Sequence, residues 1–467
     1  MAAESLYRVL VPDAPPHRRT EYDPPGTMVR SRDLRTATAG LTRPHLVSSC
    51  VGSIDRLLLC IPSWSLDHPD LVAGYRSLIG SLRSGTRFVV ALHHDARPII
   101  EEWFRHAGHD AAAIDWVPLA PYLAVTDRAE DAYVSLNDAD DGSLYLMEPW
   151  SFGRVGDALI ADAVEEHTDV WATTSPLIFQ GGNCLIGDDV WLFGKDYLID
   201  TVELLTGPGS PVEVPTGRSS RRFALELFEH DVEQVRRMLL IGSRWPLKQR
   251  DYIGRREGDR FFVEIAGGGM GTYQPIFHID MFITLMGRIA AGRFGVLVGS
   301  PALGARLLGA SAPFAHADAY DRIARTLRRA GFSVYRNPLV HRSRIAGHFT
   351  LGELREIAQR PGGDSLAAAV AELDEMDASD STDVYVRDWY HVTWNNCLVE
   401  NSTEVGRHVY LPTFGHGVNA DLAVIDEWTE RFWSARGFTV HLLADFTPFA
   451  KRQGVVHCIK KYLARGP

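Results

Sequence analysis

Phe432-Trp433-Ser434-Ala435-Arg436-Gly437-Phe438, running directly into Thr439-Val440-His441-Leu442-Leu443, reads as the end of an amphipathic helix, a glycine cap and a strand. Upstream of the glycine, Ile425, Trp428 and Phe432 recur at i, i+3 and i+7, which is one face of a helix. The same junction occurs twice more. Trp103-Phe104-Arg105-His106-Ala107-Gly108-His109 precedes the strand-like Ile114-Asp115-Trp116-Val117, and Leu327-Arg328-Arg329-Ala330-Gly331-Phe332 precedes Ser333-Val334-Tyr335. Ile323, Leu327 and Ala330 form a second apolar stripe. Between these units, Phe88 to Leu92, Val190 to Phe193 and Phe294 to Val298 are strand candidates. Such junctions occur in any α/β protein, but their recurrence also marks a weak internal repeat.

Working outward, residues 1–45 are interrupted by Pro12, Pro15, Pro16, Pro24, Pro25 and Pro44. Each fixes φ and removes a backbone donor, so an extended arm is expected there. The rest, 46–467, shows no firm internal boundary, and the acidic, Ala-rich stretch 363–383 reads as a solvent-facing helix and loop insertion. A net charge of -11 argues against nucleic acid as a main partner, because phosphate binding relies on clustered Lys and Arg. The apolar run Leu57 to Ile61 is too short to span a bilayer, so no membrane partner is expected. Five cysteines (50, 60, 184, 397 and 458) without a CxxC pair signal neither a disulfide framework nor a zinc site. A reducing, cytoplasmic home is the expectation. Oligomeric state stays open.

Several segments carry polar groups suited to chemistry. His278 and Asp280 lie two apart in a stretch, Ile276 to Leu285, that reads as a strand, so both side chains would share a face. An isolated His-x-Asp is more often a solvent-facing edge. Here the flanking Phe277, Ile279, Met281 and Phe282 imply burial, and buried Asp and His need partners. Phe179-Gln180-Gly181-Gly182-Asn183 is a tight turn that lets another segment or a ligand approach. Gly267-Gly268-Gly269 is similar and lacks a phosphate-loop pattern. In Glu148-Pro149-Trp150-Ser151-Phe152-Gly153-Arg154, a carboxylate and an aromatic together could clamp a flat cation. Asn395-Asn396-Cys397-Leu398-Val399-Glu400 with Val409 to Gly415 reads as a hairpin, and Cys397 as a core residue. Last, Gly454-Val455-Val456-His457-Cys458 sets a cysteine beside a histidine after a turn-forming glycine. A thiol, a histidine and acids from distant segments are the parts of a cysteine-nucleophile enzyme.

In this order, the acid loop, Phe-x-Gly-Gly-Asn, His-x-Asp, Asn-x-Leu-Val, Leu-Pro-x-Phe-Gly and Gly-x-x-His-Cys resemble the guanidino-group-modifying enzymes of the pentein superfamily, over roughly residues 145–462. The resemblance implies a five-bladed α/β propeller of ββαβ units around a central site. It implies Cys458 as nucleophile, His278 as general acid and base, and Asp280 as a guanidinium-binding carboxylate. Glu148 falls where the family usually has aspartate, with Trp150 beside it against the substrate. Gln180 and Asn183 stand against the substrate where several members carry an acid that orients the histidine. The implied activity is hydrolysis of an arginine-like guanidino group, free or peptidyl, to a ureido product and ammonia through an amidino-thioether. No metal and no organic cofactor is implied. Amidino transfer to an amine is the alternative, and Ile459-Lys460-Lys461-Tyr462 after the cysteine favours hydrolysis modestly. A binding protein of the same fold that has lost activity is the non-enzymatic reading; retention of Cys458, His278 and Asp280 speaks against it.

Overall fold

The computed structural model describes residues 41–467, except 151, 209, 248–251, 266–270, 290–291, 312–316 and 361–362. Residues 1–40 of the expected arm and the Gly267-Gly268-Gly269 run lie outside the described residues. From Pro44 the chain is not an arm. Strand β1 (Pro44–Leu46) leads to β2 (Ser53–Ile61), α1 (Pro69–Ser81), β3 (Arg87–His93), α2 (Arg97–His106) and β4 (Ile114–Leu119). A second unit follows: β5 (Val134–Asp138), β6 (Leu144–Glu148), α3 (Ile160–His167) and β7 (Val170–Thr174). The third comprises β8 (Cys184–Ile186), β9 (Val190–Gly194), α4 (Lys195–Thr206), α5 (Ser220–Asp231) and β10 (Arg237–Ile241).

The fourth is enlarged. A hairpin, β11 (Tyr252–Glu257) and β12 (Arg260–Ile265), precedes β13 (Ile283–Arg288), β14 (Phe294–Ser300), α6 (Pro301–Leu307), α7 (Ala317–Arg329) and the long β15 (Ser333–Thr350). Helices α8 (Leu351–Ala358) and α9 (Asp364–Asp374) then lead to β16 (Asp383–Thr393), which returns along β15. The fifth is β17 (Leu398–Ser402), β18 (Gly406–Thr413), α10 (Ala423–Ser434) and β19 (Thr439–Asp445), and β20 (Lys460–Gly466) ends the chain.

These strands form five separate sheets, and one pairing rule recurs in all of them. A central strand, β6, β9, β14 or β18, takes its hairpin neighbour antiparallel and the strand beyond the helix parallel. In the remaining sheet β2 has the same role, but its antiparallel neighbour is β20, from the other end of the chain. The parallel connections are helical because such a crossover needs a dozen or more residues.

Alternation along the strands explains why the apolar runs are continuous. Leu57, Leu59 and Ile61 of β2 face one apolar cluster while Leu58 and Cys60 face another. Phe88, Val90 and Leu92 of β3 divide from Val89 and Ala91 in the same way. Strands buried on both faces have no polar side to show. The three expected helix–glycine–strand junctions are present, with Gly108 at φ +78°, Gly331 at +99° and Gly437 at +79°. These are left-handed conformations that a Cβ disfavours.

Two expectations are corrected. On α10 the buried stripe is Ile425, Thr429 and Trp433, while Trp428 and Phe432 stack on each other half-buried along its edge. Spacing set the helix, but its partner strands set which side faces in. Stretch 363–383 does hold a helix, yet α9 buries Leu366, Ala369, Val370 and Leu373 against Tyr252, Val263 and Val384. Those four recur at helical spacing, a stripe that its acid-rich composition conceals. No helix among the described residues is long and apolar enough to cross a membrane.

The last strand is clamped by charge to the connection before β5. Glu130, on the connection before β5, accepts from Lys460 Nζ at 2.7 Å and Lys461 Nζ at 2.9 Å, all three side chains being buried. Burial pushes the Glu130 carboxyl up, and the two ammonium groups outweigh it and bring it down to about 2. Replacement Glu130→Ala strands two buried cations and is expected to cost about 3–5 kcal/mol. Urea unfolding followed by tryptophan fluorescence measures it, and a loss below about 1 kcal/mol would contradict the clamp.

Candidate active site

Cys458 lies between the short helix Thr447–Ala450 and β20, so the β20–β2 pairing fixes its height in the molecule. Its carbonyl accepts from Glu130 N at 3.1 Å. From the other side, Asn396 Oδ1 accepts from the backbone N–H of His457 at 2.8 Å and of Cys458 at 3.3 Å. The same amide donates through Nδ2 to the sulfur at 3.3 Å. Asn396, quoted above only as part of a hairpin, is therefore the side chain that orients the thiol.

Asp280 stands beside the sulfur. Its Oδ2 is 3.8 Å from Cys458 Sγ and 2.9 Å from His457 Nδ1, while its Oδ1 is buried with no hydrogen-bond donor among the described residues. His278 and Asp280 do not share a strand face as expected. His278 caps a single 3-10 turn, Ile279–Met281, and the strand begins only at Ile283. The turn aims the two side chains at different partners. Asn183 enforces it, with Oδ1 accepting from Ile279 N at 2.9 Å and Nδ2 donating to the Phe277 carbonyl at 3.3 Å. Asn183 thus clamps the His278 segment.

His278 Nε2 lies 2.6 Å from Gln180 Oε1 and 3.2 Å from the Tyr197 hydroxyl. An amide oxygen only accepts, so Nε2 carries the hydrogen toward Gln180 and Nδ1 is turned the other way. There it faces Asp131 Oδ1 at 3.6 Å. Gln180 thus contacts the histidine, at the position where the resemblance places a group that orients it. Gly182 makes the approach possible, since a Cβ there would sit 2.5 Å from His278 Nδ1.

Asp131 is a buried acid on the cavity wall that the sequence reading did not single out. It and Cys458 line one cavity of about 430 Å³, together with Phe277 and several basic side chains. Glu148, expected in that role, ends β6 opposite Thr174 and is not among the residues lining the cavity. Trp150 packs instead against the apolar cluster of Leu177 and Phe179. What that loop gives the cavity is a cation: Arg154 donates to Asp131 Oδ2 at 2.8 Å and pairs with Asp157 at 2.9 Å. The overlooked signal is Asp127-Arg128-Ala129-Glu130-Asp131, a charged run that is buried throughout. Alternating signs read by themselves as a solvated face, and the adjoining apolar Ala132-Tyr133-Val134 is the one local hint of burial.

Electrostatics around the thiol have a definite sign. Burial first, then the carboxylates of Asp280 and Asp131, push the Cys458 thiol well above its ordinary range, with Arg128 opposing. Burial likewise lifts the Asp131 carboxyl to about 6, with Arg154 pulling it down and Asp280 pushing it up. As it stands the site disfavours a thiolate. A planar cation lying between the two acids would cancel the charges that hold the proton on sulfur. No group of three or more metal-ligating side chains occurs among the described residues.

No family model matches the sequence, and no curated protein matches it. Among solved structures the chain is similar to the agmatine deiminase of Enterococcus faecalis, at 13% identity and a TM-score of 0.51, over 94% of this chain and 100% of that one. It is also similar to the agmatine deiminase of C. jejuni, at 9% identity and a TM-score of 0.51, over 90% of this chain and 96% of that one. At these identities the likeness is one of fold.

Because Asp131 accepts a cation only when ionised, affinity for free guanidinium should rise with pH through about 6. Below that, affinity is expected to fall about tenfold per pH unit, read by calorimetry. Asp131→Asn should remove the dependence along with most of the affinity. Glu148→Gln should leave both unchanged, and a loss there would restore Glu148 to the site.

Proposed function

We propose that this chain, which has the fold of the pentein superfamily, is a cysteine-dependent deiminase that converts the guanidino group of arginine or an arginine derivative to a ureido group and ammonia. One observation carries the reading: Cys458 and Asp131 line one cavity, and the buried Asp280 carboxylate lies 3.8 Å from the same sulfur, so a thiol and two acids from three distant segments converge. Five sheets with one pairing rule, joined by β2 and β20, support reading them as five blades of an α/β propeller with this cavity central.

The steps follow from the charges. The guanidinium lies between Asp280 and Asp131, hydrogen-bonded along its edges, with its carbon over Cys458 Sγ. Its positive charge offsets both acids, so the thiol proton passes to His278 Nδ1 and the thiolate attacks the guanidino carbon. A carbon–sulfur bond forms and one C–N π bond opens to a tetrahedral adduct. His278 Nδ1, beside Asp131, delivers a proton to the departing nitrogen, and ammonia leaves as the amidino-thioether forms. The same nitrogen then takes a proton from water, whose oxygen attacks that carbon. The C–S bond breaks as the adduct's hydroxyl proton passes to sulfur, releasing the ureido product and regenerating the thiol, and His278 gives its proton to the released ammonia. Proton transfer of this kind is worth roughly 10²–10⁴-fold. Gln180 holds the ring without placing a second negative charge on it, as a carboxylate would.

Incubation with arginine, agmatine and an arginine peptide, with ureido product and ammonia measured separately, tests the reading. Ureido product should form without an added amine; guanidino transfer that needs an amine would instead indicate the amidinotransferase. Cys458→Ala should reduce turnover to background, and Asp280→Asn should lower kcat/KM by about 100- to 1,000-fold. Full activity in the cysteine variant would end the proposal.

A further inference from the structure

The reaction needs acids, yet the wall of the cavity is mostly basic. Among the described residues lining it, Arg128, Arg154, Arg344, Lys451 and Arg452 carry positive charge, and Asp131 is the one acid. Three of the five are neutralised within the protein. Arg154 is held by Asp131 and Asp157, Arg128 by Asp127 at 3.2 Å, and Arg344 by Asp388 at 2.9 Å.

Lys451 and Arg452 have no carboxylate partner among the described residues. The Arg452 guanidinium lies 4.6 Å from the Trp64 ring centroid and reaches His68 Nε2 at 3.3 Å, contacts that position it without cancelling its charge. Both belong to the turn after the short helix Thr447–Ala450. The next residue, Gln453, sits at φ +61°, a conformation uncommon for a residue with a side chain. Gly454 follows, packed so close to Arg128 that a Cβ would lie 2.6 Å from its guanidinium carbon. The turn therefore fixes two uncompensated cations on the wall of the cavity, on the approach to Cys458.

We infer that the substrate carries, at the end away from its guanidino group, an anionic oxygen acid that Lys451 and Arg452 bind. The inference rests on the deiminase reading and narrows it to guanidino acids. A compound with a second cation in that place, as agmatine has, meets like charge on the wall and is disfavoured. A cavity of about 430 Å³ suits a small molecule of this kind. Carboxylate and phosphate-type groups share the chemistry, and the experiment separates them.

The test uses the full chain with agmatine, 4-guanidinobutanoate and 3-guanidinopropylphosphonate, read both as turnover and as calorimetric binding to the Cys458→Ala protein. At least one acid should exceed agmatine by about 100-fold in kcat/KM and in affinity, and the better acid identifies the anion. The double substitution Lys451→Ala with Arg452→Gln, at positions half-buried and exposed, should weaken the acids about 10- to 100-fold while agmatine stays level or improves. Equal preference for agmatine, or equal losses for all three ligands, would overturn the inference. Binding that favours the acids without turnover of any compound would sink the deiminase reading and leave this one standing.

Discussion

Everything at the site hangs on the pairing of the last strand with the first long one. β20 lies antiparallel to β2, with Lys460 opposite Leu59 and Gly466 opposite Ser53, and so returns the chain end to its beginning. Cys458 comes two residues before that strand, and Glu130 ties down both of the lysines that open it. The nucleophile candidate is thereby set by a ladder of backbone hydrogen bonds and a buried ion cluster, not by a mobile tail. This suits a reaction whose rate depends on positioning to a fraction of an ångström.

Two acids reach the neighbourhood of the sulfur along different routes. Asp131 follows Glu130 directly, so fastening Glu130 to the strand after Cys458 also places Asp131. Asp280 comes from a 3-10 turn whose shape depends on the Asn183 amide. Burial first and then these two carboxylates push the thiol up, and a cation between the acids would oppose their part of the effect. Under the proposed reaction, such a site would hold its sulfur protonated until a cation arrives.

How much of this the sequence disclosed depends on the kind of information. The glycine-capped junctions were legible because a left-handed cap is a local, one-residue requirement, met at Gly108, Gly331 and Gly437. Cys458 and Asp280, the proposed nucleophile and one proposed acid, stood out through the motifs around them. The other proposed acid, Asp131, did not. Glu148 has an aromatic neighbour and a suggestive loop, whereas Asp131 hides in a run of charges that reads locally as surface. Only long-range contacts, Glu130 with Lys460 and Arg154 with Asp131, reveal that the run is buried. The contacts of Asn183 and Gln180 were hidden for a related reason. Both amides are near the site, but what each touches is decided by a segment roughly a hundred residues away.

By itself, then, the sequence determined the alternation of helix, glycine and strand, the apolar runs that become doubly buried strands, and the cysteine and His-x-Asp that mark the chemistry. Periodicity, glycine and residue type act over a few neighbours, so a linear reading can see them. The tertiary structure alone decided which carboxylates face the sulfur, which amides hold the turn, and that uncompensated cations stand on the cavity wall. Those depend on Coulomb and hydrogen-bond contacts between segments that meet only when the sheets assemble.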